Sequence, residues 1–171
     1  MSTRPGLRKF ALTAHVISSV GWLGAVAVFL ALSVVGLTSD NPEVVRAAYL
    51  AMDSIGWLVL VPLSLASLVS GLIQSLGTKW GLFRHYWVLA KLLINVVATV
   101  VLLLYMGTLN HLAGLASATA TSGDVFEGLR NPSPVLHAGI GLVLLLLAAG
   151  LSVYKPRGMT RYGQRKQHRQ R

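Results

Sequence analysis

The stretch FALTAHVISSVGWLGAVAVFLALSVV, Phe10 to Val35, decides the fold. No aspartate, glutamate, lysine or arginine falls between Ala11 and Ser39. A helix needs about 20 apolar residues to cross the hydrocarbon core of a bilayer. Lipid offers a peptide group no hydrogen-bond partner, so a spanning segment must satisfy its own backbone by coiling into a helix. The basic start (Arg4, Arg8, Lys9) raises the question of a cleaved signal peptide. The apolar region of such a peptide is roughly 7–15 residues long and ends in a small-x-small site. This run is longer and shows no clear site of that kind, so it reads as a retained helix.

Three further segments meet the same length, at about 54–76, 86–109 and 135–154, beside 10–36. Hydrophobic types make up 54% of the 171 residues and charged types only 12%, about half the usual charged share of a soluble domain. The expected fold is all-α, an integral membrane four-helix bundle, and this length leaves no room for a second domain. Pro62 removes a backbone donor and should kink the second span. The stretch Asp40-Asn41-Pro42-Glu43 reads as a helix start, and Asp124-Val125-Phe126-Glu127 as the cap of a short surface helix. Small and polar types in 113–123 predict a loop. Cysteine is absent, which excludes disulfides, thiolate metal sites and cysteine nucleophiles.

Charge sets the expected orientation. Residues 1–9, the loop before His85 and the tail 155–171 hold twelve of the fifteen lysines and arginines. The opposite side holds only Arg46 and Arg130, together with all five acids, and Lys91 lies within a span. Cytoplasmic loops of membrane proteins carry the excess of basic residues. Both termini are therefore expected in the cytoplasm of a plasma-membrane protein, with 37–53 and 110–134 outside. The tail, with seven basic residues and no acid, is expected on anionic inner-leaflet lipids, at about 1 kcal/mol per basic residue near the surface. The net charge of +10 flanks apolar spans and does not line a folded face, so a nucleic-acid partner is not expected.

Polar groups inside a span are costly and face the bundle or a cavity by default. Lys91, Asn95 and Thr99 fall at i, i+4 and i+8 on the third helix. On the first, His15, Ser19, Trp22, Val26 and Phe29 share a face. His15 and Lys91 lie at similar depth, so the two stripes can meet in one pocket of His15, Ser19, Trp22, Lys91 and Asn95. Lys91 could instead snorkel to the headgroups, and His15 could be a packed histidine bonded to a carbonyl or a serine. Asn95 lies one turn deeper and cannot snorkel. His111 and His137, at the outer ends of two helices, offer an alternative site for a metal or haem; interfacial roles for them are the simpler reading. Gly21 with Ala25, Ala27 with Ala31, and Ser67 with Gly71 are spaced for close helix contact, and Ser64, Ser67, Gly71 and Gln74 align on the second helix. No carboxylate is expected deep in a span, which argues against a proton-driven transporter. No nucleotide-binding glycine loop, His-Glu-x-x-His or catalytic triad is present.

The run His15-Val-Ile-Ser-Ser-Val-Gly21-Trp22-Leu-Gly24-Ala25 resembles the opening of a bacterial superfamily of small membrane proteins. That superfamily includes CopD-like copper-resistance domains, HemJ-type protoporphyrinogen oxidases and an uncharacterised actinobacterial-type family of integral membrane proteins. Lys91-Leu-Leu-Ile is similar to a lysine-leucine stretch in a later helix of many members. Arg84-His85-Tyr86-Trp87 and Ser152-Val-Tyr-Lys-Pro-Arg-Gly-Met-Thr-Arg161 extend the likeness to the actinobacterial-type members over nearly the whole chain; the likeness to HemJ is confined to the first and third helices. The resemblance implies haem b, with a haem-ligand role for His15 and a supporting role for Lys91. It names no second axial ligand and implies no catalysis. CopD-like copper transport usually suggests methionine and histidine sites, and Met52 and Met106 are the methionines near the spans.

The leading expectation is a haem b-binding membrane protein with a redox or haem-handling role. A non-enzymatic accessory subunit, packed against a membrane-protein partner or a second copy of itself, is the alternative. A copper-handling permease is the third reading. Whether the protein is an enzyme stays open at this stage.

Overall fold

A computed structural model describes residues 5–77, 85–118, 127–154, 158, 160 and 164–165 of the chain. Every regular element among them is helical. The elements are α1 (Pro5–Thr38), α2 (Pro42–Ile55), a π-helical segment (Gly56–Leu60), α3 (Val61–Gly77), α4 (Tyr86–Ser117) and α5 (Ser133–Tyr154). Four helical stretches are long and apolar enough to cross a membrane: Gly6–Thr38, Pro42–Leu76, Tyr86–Ser117 and Glu127–Tyr154. The expected integral membrane four-helix bundle is what the chain forms.

The second span is longer than the apolar run 54–76. It begins at Pro42 and runs unbroken to Leu76, about 50 Å at the helical rise, against a hydrocarbon core of about 30 Å. Its start is the one expected. Asn41 caps the helix, its side chain accepting the Glu43 N–H at 2.9 Å, and Pro42 takes the first turn, where a missing donor costs nothing. The first turns do not peel away, because Val45, Ala48, Tyr49 and Met52 form a buried stripe against α1 and α4. Asp53 therefore lies in the helix continuous with the second apolar run and not in a loop. One of its carboxylate oxygens is buried without a hydrogen-bond partner among the described residues.

The irregularity expected at Pro62 arrives one turn earlier. Gly56–Leu60 adopts a π register, and the Val61 N–H bonds the Gly56 carbonyl five residues back. In a regular helix the proline ring would clash with the carbonyl of Leu58, four residues before it. A π turn widens the ladder there. At the other side of the bundle α4 continues to Ser117, past the start of the loop expected at 113–123. Leu112, Ala113 and Ala116 are buried, and that packing holds the last turns helical. Residues 119–126, with most of the expected cap at Asp124–Glu127, lie outside the described residues, as does most of the tail.

The helices form a ring in chain order. α1 packs on α2–α3 and on α5, and α4 packs on α2–α3 and on α5, so α1 and α4 face each other across the bundle. Lipid tails are as apolar as leucine, so close packing rather than water exclusion holds such helices together. Gly21 meets Leu63 of α3, Gly36 meets Tyr49 of α2, and Gly56 lies against Met106 of α4. Ala27 and Ala31 face outward instead and take no part in the packing. The packed core (Phe29, Tyr49, Met52, Met106 and Leu109 among others) fills the half of the bundle nearest the C-terminal end of α1. Tyr49 donates to the Leu129 carbonyl at 2.5 Å there, and Arg130 forms an ion pair with Asp40.

Candidate functional site

The other half of the bundle, at the end carrying the N-terminus, encloses a cavity of about 650 Å³. His15, Ser19 and Trp22 reach it from α1, and Lys91 and Asn95 from α4. All five residues singled out by helical spacing therefore line one space, although they sit on diagonally opposed helices. The volume lies within the roughly 300–1,000 Å³ range of small-molecule sites, and the lining has their usual makeup of mostly apolar walls with a few polar groups.

His15 is held by α3. Its Nδ1 lies 3.1 Å from the Ser67 carbonyl and 3.1 Å from the Ser70 hydroxyl. A carbonyl can only accept, so Nδ1 carries the proton in this arrangement. Ser70 agrees, because its own hydroxyl donates to the Ala66 carbonyl at 2.5 Å and leaves its oxygen to accept. In the neutral imidazole Nε2 is then the unprotonated nitrogen of the ring, a lone-pair donor. The imidazole sits against Gly71, where a Cβ would fall 3.1 Å from Cε1. Glycine at this position lets the ring lie on the α3 backbone. Ser19 and Ser67 share a hydrogen bond at 2.8 Å, and Gln74 donates to the Ala11 carbonyl at 2.9 Å. These contacts fix α1 to α3 around the ring.

Across the cavity, the Lys91 ammonium lies 5.9 Å from the centre of the Trp87 ring, one turn earlier on α4. That is cation–π range, and such a contact offsets part of the cost of a cation away from water. Asn95 donates to the Lys91 carbonyl at 2.9 Å, which leaves its side-chain oxygen as an acceptor. Thr99 continues the stripe but lies beyond the cavity floor, 3% exposed, with its hydroxyl unpartnered among the described residues.

The alternative outer site takes a different form. His137 stacks on Tyr105 with ring centres 4.0 Å apart and bonds the Ser133 carbonyl at 2.9 Å. His111 is exposed, and no hydrogen bond or ring contact joins the two among the described residues. No group of three or more metal-ligating side chains occurs among those residues either. Met52 and Met106 are buried in the packed core, with Ser33 donating to the Met52 sulfur at 3.3 Å.

Spacing alone missed the α3 contribution. Ser67, Gly71 and Gln74 read as a packing stripe, yet Ser67 and Gly71 seat the imidazole together with Ser70, and Gln74 ties α3 to the Ala11 carbonyl. The signal was the same i, i+4, i+7 alignment, on a helix whose partner cannot be read from the local sequence. No protein-family model, curated protein or solved structure matches the chain.

Proposed function

We propose that this is a multi-pass plasma-membrane protein, both termini cytoplasmic, that holds haem b in the cavity and serves a redox or haem-handling role. One observation carries the reading: the His15 ring is locked by an Nδ1–H bond to a backbone carbonyl, beside a cavity of small-molecule size. Metal-ligating histidines almost always donate their second ring nitrogen in this way, which fixes the tautomer and raises the basicity of the ligating atom. Imidazole is a normal axial ligand of haem iron, and haem supplies one-electron chemistry when bound. The residues fit the group: Nε2 of His15 would hold the iron, and Lys91 would hold a propionate carboxylate. His15 is the one histidine lining the cavity among the described residues, so the protein would supply one axial ligand. The basic-side bias of the termini and the resemblance of the first and third helices support the same reading.

The test is the absorbance spectrum of protein purified after expression with ample haem, compared with Lys91→Met. The proposal expects a Soret band in the wild type and weaker retention of haem in Lys91→Met. A folded wild type without the band contradicts it. The accessory-subunit reading has one observation of its own. Ala27 and Ala31 present small exposed side chains four residues apart on the outer surface of the bundle, where a partner helix or a second copy could pack closely. Chemical crosslinking in native membranes tests that reading by whether a cysteine at Ala27 captures a partner.

A further inference from the structure

The cavity wall is not closed all round. Among the described lining residues, five are also exposed on the outside of the bundle: Leu12, Val16 and Val20 on α1, and Ala149 and Val153 on α5. Leu12, Val16, Val20 and Val153 are each at least half exposed. The described lining residues of α3 and α4, by contrast, are half-buried or buried. The two helices that bear the exposed lining are neighbours in the ring. They approach each other in the opposite half, where Val26 faces Gly141 across about a side-chain width. Towards the end carrying the N-terminus both helices contribute exposed residues to the lining, and there the cavity reaches the surface between them. The rim is wholly apolar and lies on spanning helices, so the medium outside it is lipid.

We infer that the α1–α5 gap is the route by which the cavity's ligand exchanges with the bilayer, and that this ligand is an amphiphile with an anionic head. The apolar rim accepts the hydrocarbon body. Lys91, across the bundle on α4, supplies the positive charge for the head. The inference rests on the proposed site being the ligand site, but not on the ligand being haem.

The test uses tryptophan quenching by phosphatidylglycerol brominated on its acyl chains, in a phosphatidylcholine host. Trp22 lines the cavity and is 2% exposed, whereas Trp57 stands 47% exposed on the outer surface. One protein keeps only Trp22, through Trp57→Phe, Trp80→Phe and Trp87→Phe. A second keeps only Trp57. Quenching of both is expected, because brominated chains reach Trp22 through the gap. Adding Val20→Phe and Ala149→Phe narrows the gap, and Trp22 should then lose its quenching while Trp57 keeps it. Unquenched Trp22 beside quenched Trp57 in the wide-gap proteins overturns the inference. So does quenching of Trp22 that the phenylalanine pair leaves unchanged. Quenched Trp22 in a protein that shows no Soret band would refute the haem reading and leave the route standing. A Soret band with unquenched Trp22 would do the reverse.

Discussion

Gly71→Ala tests the seating of His15 directly. The added Cβ would fall 3.1 Å from the imidazole Cε1 and 3.5 Å from Nδ1. The first distance is short by a few tenths of an ångström, so the ring must shift or tilt. Its way back is blocked by the hydrogen bonds to Ser67 and Ser70, both at 3.1 Å. The overpacking costs about 1–3 kcal/mol. Replacing glycine in a helix with alanine also gains roughly 0.5–1 kcal/mol of propensity, which would obscure a simple comparison with the wild type. Gly24→Ala removes that difficulty, because nothing lies within 4 Å of a Cβ there. Both variants gain the propensity, so the difference between them isolates the clash, at about 1–3 kcal/mol in unfolding from detergent micelles. Haem affinity should follow, since disturbing a ligand's supporting hydrogen bond typically costs about 10–100-fold. Equal stability and equal haem affinity in the two alanine variants would refute the seating of His15 on α3.

Three further outcomes are expected. Cysteines placed at Ser39, Ser122 and Gln167 should react with an impermeant thiol reagent on intact cells at the first two positions only; reaction at Gln167 alone would invert the topology. Tyr49→Phe removes the bond to the Leu129 carbonyl, which still accepts the Asn131 N–H at 2.8 Å, so thermal unfolding should show a loss of only about 1 kcal/mol. Asp40→Asn breaks an ion pair whose carboxylate side chain is 93% exposed, and unfolding should be unchanged within measurement.

The spans were legible because the apolar runs exceed any soluble need, and the cavity lining because polar residues recur at helical spacing within those runs. His15, Ser19 and Trp22 on one helix and Lys91 and Asn95 on another needed only periodicity. The first turns of α2 were less plain. Val45, Ala48, Tyr49 and Met52 have helical spacing, but Glu43, Arg46 and Asp53 among them mask a buried stripe. The π segment has no local signature, since it answers both to Pro62 and to Gly56 lying against Met106, fifty residues away in the chain. The partner of His15 was hidden for a similar reason. Ser67 is 52 residues distant, and only the order of helices around the ring brings it there.

In the proposed site, Nε2 of His15 is the atom that holds the cavity's ligand. The reduced-minus-oxidised spectrum of His15→Gly, taken with and without added imidazole beside wild type and His137→Ala, tests this role. A Soret band is expected in wild type and His137→Ala, with its loss in His15→Gly and its return when imidazole fills the space the side chain vacates. A band that persists in His15→Gly without imidazole, or that disappears in His137→Ala, would contradict it.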